Sequence, residues 1–145
     1  MKGLIQRVAH ARVDVAGQCC GEIGPGILLL LGVEKQDTPE AADKLLQKIL
    51  NYRIFSDQDG KMNLSLQQTR QGLLIVSQFT LVADTRKGLR PGFSQGATPA
   101  LGEQLYEHFV QQATTLHNPV ASGQFGANMQ VSLCNDGPVT FLLQS

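Results

Sequence analysis

Two runs of apolar residues constrain the fold of this chain more than any other feature. Ile27-Leu28-Leu29-Leu30-Leu31-Gly32-Val33 and Leu73-Leu74-Ile75-Val76 contain no polar side chain. A strand with one wet face alternates apolar with polar residues, so an uninterrupted apolar strand is covered on both faces. The chain must therefore place material above and below a sheet. Helices are the available cover. Thr38-Pro39-Glu40 has a hydroxyl at the cap position, proline at the first helical position and a carboxylate in the first turn, the start signal of a helix. Ala41, Ala42, Leu45, Leu46, Ile49 and Leu50 then form one apolar face, with Lys44 and Lys48 opposite, and the helix ends near Asn51. Thr98-Pro99 repeats the signal, and Leu101, Leu105, Tyr106, Phe109 and Val110 form the second buried stripe, with His108 beside it.

The remaining segments read as strands and turns. From Ile5 to Val15 the odd positions (Ile5, Ala9, Ala11, Val13, Val15) are apolar and the even ones largely polar, a period of two with the odd face inward. Arg7 breaks this pattern. A charged side chain is rarely buried without a partner, so either a bulge resets the register or Arg7 reaches into a polar pocket. Ala16-Gly17-Gln18 is a hairpin turn into a strand over Cys19–Ile23, and Tyr52–Phe55 is a short strand before the turn at Ser56–Gly60. Lys61–Leu64 leads into a polar tract, and His117–Gln124 reads as loop. Met129, Val131 and Leu133 alternate with polar residues as a strand; Gly137-Pro138 interrupts it, and Val139–Leu143 forms the last strand. The order of elements describes one mixed α/β domain over residues 1–145.

Composition narrows the function. At 145 residues and 42% apolar content the chain can bury a normal core. Its longest run without a polar residue or glycine, Ile27–Leu31, is far too short to span a bilayer, and Met1-Lys2-Gly3-Leu4 starts no long apolar leader, so the expected location is cytoplasmic. The three cysteines lack metal-ligand spacing and read as reduced and structural. The Asp-rich turn at Ser56–Gly60 lacks the carboxylate that would close a calcium loop. Twelve basic and twelve acidic residues cancel, which argues against a broadly basic nucleic-acid binder. Arg86, Lys87 and Arg90 nevertheless cluster within five residues, with Asp84 in opposition, as either a solvated loop or a phosphate contact.

Chemistry is to be sought where the second apolar run ends. Leu73–Val76 passes directly into Ser77-Gln78-Phe79-Thr80-Leu81, leaving small hydroxyls, an amide and soon unpaired backbone N–H groups at a sheet rim. No Gly-x-Ser-x-Gly elbow is present, and none of His10, His108 and His117 is placed to serve as a base, which disfavours a triad hydrolase. Thr80 stays open as a nucleophile activated by an unrecognised partner.

Taken with Asn135-Asp136-Gly137-Pro138-Val139-Thr140, this stretch closely resembles the D-aminoacyl-tRNA deacylase family. Leu4-Ile5-Gln6-Arg7-Val8, Tyr52–Phe55, Lys61–Leu64 and Gly88-Leu89-Arg90-Pro91 extend the resemblance over essentially the whole chain, in order. It implies a three-layer β/β/α arrangement in which a curved, barrel-like mixed sheet carries two main helices. It also implies a homodimer with active sites at the subunit interface, aminoacyl-tRNA as partner and neither cofactor nor metal. The implied reaction is hydrolysis of the D-aminoacyl ester, and of glycine mischarged on tRNA(Ala), with L-esters refused: chirality proofreading in translation. Ser77, Gln78, Phe79 and Thr80 would then be catalytic, with the Phe79 and Thr80 N–H groups stabilising the oxyanion and Gln78 orienting ribose or water. Gly137-Pro138, joined by a cis bond in the family, would enter the partner's site and leave no room for an L side chain. Arg7 would support that loop or the interface, Phe125 and Met129 would line the substrate pocket, and Arg86, Lys87 and Arg90 would contact tRNA phosphates. The chain departs from the usual family pattern at Gly92, Gln95, Asn128 and Leu142. A non-catalytic nucleotide-binding module on the same fold is the alternative, motivated by the missing base.

Overall fold

The two apolar runs become neighbouring parallel strands at the centre of a curved sheet. The computed structural model describes residues 1–145. In chain order the strands are β1 (Lys2–Val15), β2 (Gln18–Ile23), β3 (Gly26–Gly32), β4 (Phe55–Ser56), β5 (Met62–Leu64), β6 (Gly72–Ser77), β7 (Val120–Ser122) and β8 (Met129–Gln144). The helices are α1 (Pro39–Asn51), the single turn α2 (Leu66–Thr69) and α3 (Pro99–Leu116), with a 3-10 turn at Phe79–Val82. The main sheet runs β2-β1-β3-β6-β7, and β8 pairs along the other edge of β1. β1 is antiparallel to β2, β3 and β8; β3–β6 and β6–β7 are parallel, linked by crossovers that carry α1 and α3.

The apolar runs divide their side chains between two cores. Ile27, Leu29, Leu31, Leu73 and Ile75 face the helices and join a core of 21 buried residues that includes Leu45, Leu46, Ile49, Leu105 and Phe109. Leu28, Leu74 and Val76 face the other way, into a core of seven residues with Val8, Ala11, Val13 and Ile23. Helices, sheet and the interior of the curve are the three layers. Both helix starts form as expected: Thr38 Oγ1 accepts the Ala41 N–H and Thr98 Oγ1 the Leu101 N–H, each at 3.3 Å. The curve nearly closes where β2 comes up against β7. A Cβ on Gly21 would lie 2.6 Å from the Ser122 carbonyl oxygen, so glycine is required there.

The alternation in β1 needs correction. Ala9 is exposed, and Val8 shares the inner core with Ala11, three positions on, which strict alternation forbids. Between Val8↔Asn135 and His10↔Cys134, β1 spends two residues against one of β8. This bulge resets the register and bends the strand, which pairs with β3 up to Val8 and with β2 from Ala11.

Other differences are local. The strand expected at Tyr52–Phe55 forms later, at Phe55–Ser56, and the supposed loop at His117–Gln124 contains β7, hydrogen-bonded to β6 over Leu73–Ile75. The polar tract after Leu64 forms α2, opened by Ser65, whose N–H donates to Gln68 Oε1 at 2.9 Å. Instead of two strands near the C-terminus there is one, β8, which bulges at Asp136–Val139: Gln6↔Thr140 and Val8↔Asn135 set those four residues against Arg7 alone. No helix is long and apolar enough to cross a membrane.

Candidate active site

At the end of β6 the chain leaves the sheet abruptly. Ser77 is still in register with Leu31, and the Gln78 N–H donates to the Leu31 carbonyl at 2.8 Å. Phe79–Val82 then coils into a 3-10 turn in which the Leu81 N–H returns to the Gln78 carbonyl at 3.2 Å. The N–H groups of Phe79 and Thr80 precede that first ring, so the turn offers them no acceptor. Both residues are exposed. The Gln78 side-chain amide donates to Thr80 Oγ1, which ties the two side chains together.

No base approaches this rim. His108 Nε2 lies 2.7 Å from Asp43 Oδ1, joining α3 to α1. His117 is buried with Nε2 2.6 Å from the Gln71 carbonyl, and His10 is exposed on β1. The chain contains no group of three or more His, Cys, Asp or Glu residues placed to hold a metal ion. The rim can therefore offer oriented N–H donors and an amide, a hydroxyl beside them, and little else.

Beside the rim opens a cavity of about 460 Å3, within the range of small-molecule sites. Its floor is the end of β3 and β6, with Ser77, Gln78 and Phe79 at one side and Phe125, Met129 and Val131 at another. The first turns of α3 close it through Pro99, Gly102 and Tyr106. Tyr106 holds this wall: its hydroxyl lies 2.9 Å from the Ile75 carbonyl and 3.2 Å from the Gly123 carbonyl, while its ring packs 5.7 Å from that of Phe125. Burial pushes the Tyr106 hydroxyl up to about 12, so at neutral pH it keeps its proton and donates. Gly102 leaves space for Phe125, whose Cζ would be 3.3 Å from an added Cβ.

The second motif lies on the β8 bulge, outside this cavity. The Gly137–Pro138 bond is cis and Gly137 has φ of +149°. A side chain there would clash, with a Cβ only 2.6 Å from Val139 Cγ2. Arg7 supplies the tie that its parity left open. Nε donates to the Asp136 carbonyl at 2.9 Å, Nη1 donates to the Ile54 carbonyl at 2.7 Å, and the Asp136 carboxylate stands 3.4 Å away. Asn135 clips the other side of the bulge: its Oδ1 accepts the Val139 N–H at 2.7 Å and its Nδ2 donates to Thr140 Oγ1 at 2.9 Å.

Comparison with known proteins decides the family. The family model described as D-Tyr-tRNA(Tyr) deacylase matches residues 4–144. The chain belongs to the D-Tyr-tRNA(Tyr) deacylase family. A D-aminoacyl-tRNA deacylase of Pseudomonas fluorescens (strain SBW25) is 64% identical over 145 residues, the whole of both chains. One from Pseudoalteromonas translucida (strain TAC 125) is 65% identical over 143 residues, 99% of each chain. Among solved structures, one titled c-Myc DNA Unwinding Element Binding Protein superimposes with a TM-score of 0.95 at 40% identity, covering 100% of this chain and 99% of that one. Another, titled as a probable eukaryotic D-amino acid tRNA deacylase, shares the fold at a TM-score of 0.87 and 18% identity, covering 99% and 98%.

Within this deacylase-family fold the structure sorts the expected site residues into three places. Ser77, Gln78, Phe79, Phe125 and Met129 line one cavity, and Thr80 flanks it through Gln78. Arg7, Gly137 and Pro138 form the bulge on the other side of β1. Arg86, Lys87 and Arg90 occupy a loop closed by paired Asp84 and Gly92 backbone bonds of 2.7 and 2.9 Å. Arg86 is engaged there: its guanidinium binds Asp84 at 2.7 and 2.9 Å and holds that carboxyl well below its usual range. Lys87 and Arg90 form no ion pair. Of the residues that depart from the family pattern, Asn128, Gln95 and Leu142 are exposed, while Gly92 closes the cationic loop. Sequence reasoning missed Tyr106 and Phe93 as cavity walls and gave Asn135 no role. A lone aromatic in a Gly- and Pro-rich loop was the one available signal for Phe93.

Proposed function

We propose that this chain hydrolyses the ester of D-aminoacyl-tRNA, and of glycine mischarged on tRNA(Ala), to free tRNA and the amino acid, and refuses L-esters. Membership of the deacylase family supports the reaction class. The single observation that carries the mechanism is the pair of uncommitted N–H groups at Phe79 and Thr80, at the rim of a cavity of nucleoside size with no base in reach. Water adds to the ester carbonyl, the oxyanion is held by these N–H groups, and the acyl–oxygen bond breaks to return the ribose hydroxyl to the tRNA. One oxyanion donor of this kind lowers the barrier by about 2.7–4 kcal/mol. An aminoacyl ester is already reactive and its ribose carries a neighbouring hydroxyl, so positioning supplies what a side-chain base would in a triad. Phe125 and Met129 receive the terminal nucleoside or aminoacyl group, Gln78 orients ribose or water, and Lys87 and Arg90, with Arg86 secondary, meet phosphates.

Chirality is read from the bulge. A site that accepts many D side chains must sense the position of Cβ and ignore the atoms beyond it, which rigid backbone near Cα does. Gly137-Pro138 is pinned backbone of this kind, but it lies outside the cavity of its own chain. The working form is accordingly a cytoplasmic homodimer in which the bulge of one copy stands over the Ser77–Thr80 rim of the other. Steric refusal of an L side chain leaves glycine admissible.

The test pairs D-Tyr-tRNA with L-Tyr-tRNA, for wild type and Thr80→Ala. Rapid loss of the D-ester alone, retained in the variant, is expected. Loss of activity in folded Thr80→Ala makes Thr80 the nucleophile or its direct partner. Binding of tRNA with no turnover of either ester makes the chain a nucleotide-binding module, the reading that the absent base favours.

A further inference from the structure

The mouth of the cavity carries a feature that ester hydrolysis does not require. Phe79 is 68% and Phe93 43% exposed, and their rings lie 5.2 Å apart at 46°. Within one copy such exposure leaves aromatic surface in water that folding ordinarily removes, whereas Phe55 and Phe109 are buried; in the proposed homodimer the partner's bulge stands over the rim that carries Phe79, and Phe93 lies outside that segment. The two rings come from different segments, one opening the 3-10 turn and the other following the loop closed at Asp84 and Gly92. Phe93 is held in place by the backbone on either side of it. The Gly92 N–H donates to the Asp84 carbonyl at 2.9 Å just before Phe93, and the Phe93 carbonyl accepts the Gly96 N–H at 3.1 Å just after it.

The charges of the loop select what kind of ligand would cover these rings. Asp84 neutralises Arg86, and the cations left unpaired, Lys87 and Arg90, both lie between Asp84 and Phe93 in a chain whose total charge is zero. Exposed aromatic faces with free cations a few residues away in the chain suit single-stranded nucleic acid: bases stack on the rings and phosphates meet the cations. Phe79 and Phe93 both line the cavity proposed to hold the terminal nucleoside, so a strand that leaves past them meets the rings first.

We propose that Phe79 and Phe93 form a stacking platform for the base next to the esterified nucleoside, and that Lys87 and Arg90 take the phosphates beside it. This rests on the reading of the cavity as the seat of the terminal nucleoside. It adds a second nucleotide subsite, indifferent to base identity because every base offers a π-face. The substrate it selects is a single-stranded 3′ end rather than a free aminoacyl nucleoside.

Two non-hydrolysable probes test it: adenosine carrying a 3′-D-tyrosylamide, and the same group on the dinucleotide cytidylyl-adenosine. Wild type is expected to bind the dinucleotide about tenfold or more tightly, within the range for one base stacked on an aromatic residue. Phe93→Leu keeps an apolar side chain but removes the π-face; the dinucleotide's advantage should fall below about threefold, while Phe93→Trp keeps it. Replacing Lys87 and Arg90 together by alanine should flatten the salt dependence of dinucleotide binding. An equal advantage in wild type and Phe93→Leu, both with native urea midpoints, overturns the platform. So does an equal weakening of both probes, or a change of oligomeric state in Phe93→Leu, which would assign the rings to a second copy of the chain. If the dinucleotide binds no more tightly to wild type, the second subsite is absent. If neither probe binds wild type, the reading of the cavity itself fails.

Discussion

The two regions that carry the sequence motifs are built in opposite ways. On the β8 bulge the irregular backbone is tied from both sides, by Arg7 to Asp136 and Ile54 and by Asn135 to Val139 and Thr140. At the rim beyond β6 the N–H groups of Phe79 and Thr80 have no acceptor in the turn, Phe79 and Phe93 are wet, and one side-chain contact, Gln78 to Thr80, spans the turn. The difference matches the two tasks proposed for them. Backbone that must refuse a wrong stereoisomer has to stay put when the wrong ligand pushes on it. Backbone that must stabilise an oxyanion has to keep its donors free until substrate arrives.

Substitutions on the bulge should therefore cost most. Gly137→Ala places a side chain at φ of +149° and 2.6 Å from Val139 Cγ2, and is expected to lose about 3 kcal/mol in urea denaturation together with discrimination between D- and L-Tyr-tRNA. A native midpoint with unchanged discrimination would dissolve the contrast. Arg7→Ala leaves the Asp136 and Ile54 carbonyls without their charged donor and should cost about 2–3 kcal/mol, with lysine restoring only part because it cannot fork between two acceptors. For Asn135→Ala, which strands the Val139 N–H, about 1–2 kcal/mol is expected, and the D-to-L rate ratio should fall before the D rate does.

The cavity wall lies between the extremes. Tyr106→Phe loses the hydroxyl that reaches Ile75 and Gly123 and should cost about 1 kcal/mol. It also has a pH signature. The folded-state value of Tyr106 is raised from 10.0 to about 12, so its contribution is complete below pH 10 and is lost as pH rises towards 12, where the unfolded chain ionises first. Urea midpoints between pH 9 and 11.5 should fall more steeply for wild type than for Tyr106→Phe. At the rim, Thr80→Ala is expected to move stability by less than about 0.5 kcal/mol, as for exposed positions. A loss larger than that of Asn135→Ala would mean that the rim is held as firmly as the bulge.

Much of the architecture was legible because its causes are local. Both helix starts were readable from Thr-Pro pairs, since cap and first turn lie within four residues. The burial of Ile27–Val33 and Leu73–Val76 on two faces was readable because the absence of polar residues is itself the signal. Failures came where one segment is decided by another. β7 is three residues long and exists because β6 offers it an edge. The bend in β1 comes from a register mismatch with β8, and Arg7 reads as an anomaly until both of its acceptors are in view. α2 was readable in principle from Ser65 and Gln68 but too short for periodicity.

The motif residues were legible as a set, and their spatial division was not. Sequence alone determined the two-faced strands, the two main helices, the turn-forming glycine before Pro138 and the lack of a persuasively placed base. Each depends on covalent geometry or on neighbours within a few positions. Tertiary structure alone decided that Arg7 holds Asp136, 129 residues away, and Ile54, 47 residues away; that Tyr106 and Phe93 wall the cavity; and that Gly137 lies outside it. Those outcomes depend on which strands pair and where the sheet bends. That is settled by the burial of two cores at once, through contacts that no local window of the chain contains.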